Sequence, residues 1–177
     1  MALHVEAVCD DLRDYLQANL PAQIAFVGAE APTGPSAGIS VPQPDQYFLG
    51  ERDQFRAYEP PSIFIMPQRS VESRQRDDMS PTLAQVHRVC VGALIEGIGA
   101  QELTRGAMQM VQAITQAVRD VDVTLGSITT RSTKVKVDSV DYGVNYGTGP
   151  IENKTFRREI WVNLNILHWD QLTTGGA

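Results

Sequence analysis

Leu83–Ile95, reading LAQVHRVCVGALI, decides the fold together with the residues that follow it to Asp120. Along this run Val89, Val91, Ala93 and Ile95 share one face, while Val86, Cys90 and Leu94 share the other. A strand that is apolar on both sides is covered on both sides, so the pattern predicts a central strand. Gly97 and Gly99 interrupt it. From Gln101 the period changes: Leu103, Ala107, Met110, Val111, Ile114, Val118 and Val121 recur at helical spacing, with Arg105, Gln109, Gln112, Gln116 and Arg119 on the other face. A strand feeding a helix that must lie back on the sheet makes an α+β core.

Upstream, Leu3, Val8, Leu12, Tyr15 and Leu16 form a stripe that predicts a helix over 3–19, stopped by Pro21. Its acids, Glu6, Asp10, Asp11 and Asp14, lie mostly off the stripe and read as a solvated face that complements the helix dipole. Ile24 to Val27 suits a short strand. The following stretch, about 28–60, is rich in Gly and Pro, yet Tyr47, Phe48, Leu49 and Phe55 are scattered through it. A segment of that length is expected to hold short strands or to order against a neighbouring subunit. Ile63–Met66 reads as a short buried strand bounded by Pro67, and 67–81, with Arg69, Arg74, Arg76, Asp77 and Asp78, as a protruding charged loop.

Downstream the chain reads as a long hairpin. In TKVKVDSVDYGVNY, Val135 and Val137 share one face, but Val140, Tyr142 and Val144 fall on the other. A change of phase within one strand marks a bulge, here near Asp138 and Ser139. In the partner strand Phe156, Ile160, Val162, Leu164 and Ile166 alternate with Arg157, Glu159, Trp161, Asn163 and Asn165. Gly147, Gly149 and Pro150 form the connection, and the tail beyond Trp169 is polar. The whole, 1–177, reads as one domain without a repeat.

Composition limits the function. The 177 residues are 42% hydrophobic and 20% charged, the usual balance of a globular chain. No apolar run reaches the roughly 20 residues of a membrane span, and MALHVEAVCDDLRDYL does not read as a secretory leader. Synthesis in a reducing cytoplasm is the expectation, with Cys9 and Cys90 as buried small hydrophobes. The net charge of -6 argues against general nucleic-acid binding, which rests on neutralising phosphates.

No chemistry stands out. His4, His87 and His168 have no second ligand at metal spacing, so neither a metal nor a cofactor is expected. A Gly-x-Ser-x-Gly elbow is absent, and neither cysteine has an activating base beside it. Tyr146–Pro150 looks like a phosphate loop but joins two strands, where no helix N-terminus backs it. Acid pairs such as Glu96 with Glu102 or Asp120 with Asp122 are expected by chance among 21 acids.

The helix at 3–19, strand at 62–66, strand at 83–96, helix at 101–120 and hairpin at 133–168 resemble the tail terminator (tail completion) proteins of long-tailed bacteriophages. PPSIFIMPQ before the charged loop, then HRVCVGALIEG entering the helix, looks like that family's central region. The Gly/Pro-rich insertion at 28–60 departs from it. The resemblance implies a mixed, mostly antiparallel curved sheet carrying an N-terminal helix and one central amphipathic helix. It also implies a virion protein that catalyses nothing. Such proteins form a homo-oligomeric ring, expected to be a hexamer, on the tail tube protein, end its growth and offer a docking surface to the head-completion or connector protein. DNA passes the lumen without specific binding. The candidate contact residues are Arg69, Arg74, Arg76, Asp77, Asp78, Tyr47, Phe48, Phe55, Tyr142 and Tyr146, while core packing is the better expectation for Trp161. Two alternatives stand beside this: a head-closure stopper or other neck connector, and a small cytoplasmic enzyme whose site is assembled from scattered residues.

Overall fold

The computed structural model describes residues 5–30, 40–50, 59–75, 82–97, 99–119, 132–148 and 155–171. In chain order these form α1 (Val5–Glu30), β1 (Gln46–Leu49), β2 (Ser62–Gln75), β3 (Thr82–Gly97), α2 (Ala100–Arg119), β4 (Ser132–Asp141), β5 (Asn145–Thr148) and β6 (Thr155–Gln171). The sheet order is β1-β2-β3-β6-β4, with β5 also on β6. Among the described strands only β1 and β2 run parallel to each other, and the other pairs are antiparallel. The fold is the α+β expected, with a mixed, mostly antiparallel sheet.

β3 is central, flanked by β2 and β6 along its length. Val89, Val91, Ala93 and Ile95 belong to the main core, with Leu12, Leu16 and Leu20 of α1 and Met110, Ile114 and Val118 of α2. Both helices therefore lie on one face of the sheet. Cys90 and Leu94 point to the opposite face, into a smaller cluster that contains no helical residue. We refer to this second side as the outer face.

α1 corrects two expectations. It passes through Pro21 to Glu30, so 24–27 is helix and not a strand. An interior proline costs a helix about 3 kcal/mol. Leu20, Ile24 and Val27 continue the buried stripe of Leu12 and Leu16 beyond it. Each buried aliphatic contributes about 1.5–3 kcal/mol, which offsets that cost. Within the Gly/Pro-rich insertion, β1 is a short strand of the kind expected, and Val41 joins the main core.

The stretch 67–81 is corrected as well. Its first nine residues are no loop: β2 continues to Gln75, paired residue by residue with β3 down to Gln75↔Thr82. A strand held by backbone hydrogen bonds can carry polar side chains on both sides, which hydropathy does not register. Pro67 is tolerated inside β2 because β1 pairs only with residues 62–65, leaving the flank at 67 without a strand to donate to among the described residues. The register shifts between Pro67 and Arg69, where Gln68 is the extra residue.

β4 shows the bulge read from its phase change, between Val137 and Ser139. The extra residue returns Val140 to the helix-covered face, so Val135, Val137 and Val140 all pack against the main core. Beyond it the expected single long strand is divided. β4 ends at Asp141, Gly143 turns the chain at φ 58°, and β5 restarts along β6. Gly143 N–H donates to Asp141 Oδ1 at 2.8 Å, and a Cβ on Gly143 would collide with the carbonyl oxygen of Glu159. Tyr142 and Val144 lie exposed at this corner.

Candidate interaction surface

The corner and the helix start are tied together by Arg158, which the sequence reading had not singled out. Its Nε donates to the Tyr142 carbonyl at 2.6 Å, Nη2 to the Gly143 carbonyl at 3.1 Å, and Nη1 to Thr104 Oγ1 at 2.7 Å. Asn145 Nδ2 donates to the Ala100 carbonyl at 3.2 Å. The planar fork of a guanidinium suits three acceptors fixed on separate elements. Next to it, Arg157 pairs with its cross-strand neighbour Glu96 at 2.7 Å.

Glu96 and Glu102, the carboxylates whose pairing is expected only by chance, do line one cleft of about 180 Å³ with Ser40, Pro42 and Leu103. Glu96 is committed to Arg157 there. No group of three or more His, Cys, Asp or Glu able to hold a metal occurs among the described residues. Burial, with the neighbouring Asp10 charge adding to it, pushes the Cys9 thiol up to about 11, which makes it a poor nucleophile. His87 is buried on β3; its Nδ1 lies 2.8 Å from Ser70 Oγ, and Nε2 has no partner among the described residues. Burial lowers its pKa, favouring the neutral ring.

The outer face has two zones. Near β1 and β5, Phe64, Met66, Cys90, Leu94 and Trp161 form the small apolar cluster, flanked by Phe48 and Tyr146. Trp161 sits opposite Gly92 across β3 and β6 and lies so close over it that a Cβ at 92 would strike the indole ring. Core packing of Trp161 is thus observed, at 5% exposure. The Phe48 and Phe64 rings are 5.4 Å apart.

Further along, the outer face becomes polar and charged. Asn163 accepts from Gln68 Nε2 at 2.9 Å and donates to Ser139 Oγ at 3.0 Å; Asn165 donates to Asp138 Oδ1 at 3.1 Å. In the same cross-strand row stand Arg69, Arg88 and Lys136, since Arg69 faces Arg88, Arg88 faces Asn165, and Asn165 faces Lys136. All three cations are exposed, and none makes an ion pair among the described residues.

Of the ten contact candidates, the six that are described are scattered by the fold. Tyr47 packs against the main core on the helix-covered face, where burial raises its phenol to about 12. Phe48 and Tyr146 border the outer apolar cluster from opposite sides. Tyr142 is exposed at the corner, and Arg69 is exposed in the cation row. Arg74 lies in the far half of β2. Phe55, Arg76, Asp77 and Asp78 lie outside the described residues. Arg88 and Lys136 escaped the sequence reading. Only strand register, unknown from one sequence, brings them beside Arg69.

No family model matches the chain, and no curated protein matches it. A solved structure similar to it is a chain of the virion of a native gene transfer agent (GTA) particle. It is 12% identical, covers 86% of this chain and 94% of its own length, and superposes with a TM-score of 0.31. A likeness that loose carries no argument about function. No helix among the described residues is long and apolar enough to cross a membrane.

Proposed function

We propose that this chain is a structural protein of a phage-like virion, one that caps the tail tube as a ring, ends its polymerisation and presents the docking surface for the head. The observation that carries the reading is the division of the sheet. One face is filled by α1 and α2, while the other presents exposed charges that have neither an ion pair nor a helix over them among the described residues. A fold that spends its helices on one side leaves the other for a neighbour. The order of elements, with a helix, a long central strand feeding a helix, and a terminal antiparallel pair, also agrees with the tail terminator resemblance. In this reading the chain catalyses nothing.

The test is tube growth. Purified chain added to polymerising tail tube protein should stop elongation at substoichiometric amounts and appear in a fixed small number at one tube end. Tubes of unchanged length with the chain left in the supernatant would overturn the reading. Binding to a connector ring but not to tubes would replace it with the stopper.

A further inference from the structure

Arg69, Arg88 and Lys136 stand in one row across four strands of the outer face, with Arg69 directly opposite Arg88. Like charges directly opposite one another in a sheet are destabilising. Edge protection, in which charges and bulges deter stray strand pairing, explains cations on β2 and β4. It does not explain Arg88, which sits on the central strand. An exposed cation row without an ion pair among the described residues is also against the trend of a chain with 15 basic and 21 acidic residues.

The complement lies on the other side of the molecule. Glu6, Asp10 and Asp14 follow one another at four-residue spacing along α1, off its buried stripe, with Arg13 as the basic residue paired to Asp10 and Asp14. We propose that the cation row of one subunit docks this acidic stripe of α1 on a second copy of the chain. The two surfaces belong to opposite layers, so the contact cannot be reciprocal. It is head to tail, the arrangement that closes into a ring or runs into a filament. The inference rests on the assembly reading in taking a second copy as the partner. Duplex DNA is the less suited occupant, because the excess negative charge of the chain repels a polyanion as it approaches.

A charge exchange tests it, read by sedimentation velocity over a concentration series at low and high salt. R69E/R88E and E6K/D14K should each self-associate about tenfold more weakly than the native chain, since each presents like charge on both surfaces. An equimolar mixture should recover association to within about threefold of native, because each variant then supplies what the other lacks. High salt should weaken the native contact. The neutral variant R69S/R88S should fall in between, and it separates charge from misfolding. Native association that survives both reversals would overturn the proposal, as would a mixture no better than its components or a native chain that is monomeric throughout. Loss of duplex-DNA binding in R69E/R88E with self-association intact would assign the row to nucleic acid instead. Variants that still cap tubes after the exchange fails would refute this contact and leave the assembly reading standing. Recovery in the mixture with no effect on tubes would do the reverse.

Discussion

The two faces of the sheet obey different rules. On the helix-covered face, Val89, Val91, Ala93 and Ile95 meet α1 and α2 in a continuous core in which polar side chains are few. On the outer face the same strand places Cys90, Gly92 and Leu94 under Trp161, then turns to Arg88. One strand thus carries a folding surface on one side and, within a few residues, both a folding patch and a charged surface on the other. Alternation along a strand says which residues share a face. It does not say what that face will meet.

Substitutions can break or sharpen this contrast, and the helix-covered face should respond most. Ile114 is fully buried between α2 and the sheet, so Ile114→Ala should cost about 2–5 kcal/mol in urea denaturation, the range for a large aliphatic cavity. On the outer face, Gly92→Ala forces a methyl group into the Trp161 ring. A loss of about 1–3 kcal/mol is expected, as for overpacking in a well-filled core. No loss there would show that the outer apolar patch is soft and that the contrast between the faces is sharper than described.

His87 offers a pH-dependent probe of the first face. Its pKa is lowered in the folded protein by burial, so the unfolded chain takes up a proton first as pH falls. Its contribution to stability is complete above about pH 6.5 and declines as pH drops from there toward the folded pKa. Native protein should therefore lose more stability than His87→Gln between about pH 7 and about pH 5.5. Equal losses would mean that the ring is solvated. The smallest effect is expected at Arg88. Because it is exposed and faces Arg69, Arg88→Ser should change the stability of the monomer by no more than about 0.5 kcal/mol, with any shift towards stabilisation.

The parts of the fold legible in sequence were those with strong periodicity. The two-sided run at 83–95, the helix after it and the phase change at Asp138 each correspond to an observed feature. The misreadings share a cause: local signals that tertiary contacts outweigh. Pro21 reads as a stop, but the stripe it interrupts is buried on both sides of it. The segment from Gln68 to Gln75 reads as loop because it is polar, yet β3 supplies its hydrogen bonds. The surface was harder to read than the core. Arg69, Arg88 and Lys136 are separated by 19 and 48 positions and become one row only through strand register. Arg158 reads as one more basic residue until its three acceptors are in place.

The central claim is that the outer face becomes covered when the chain assembles. Ser139 lies exposed on that face beside the cation row, and the native thiols Cys9 and Cys90 are buried, so a thiol at 139 gives a clean signal. In Ser139→Cys, maleimide labelling should be complete in dilute protein and slowed about tenfold or more once the chain is assembled with itself or on tail tubes, as a buried interface excludes reagent and water alike. Labelling at the same rate in both states would contradict the account.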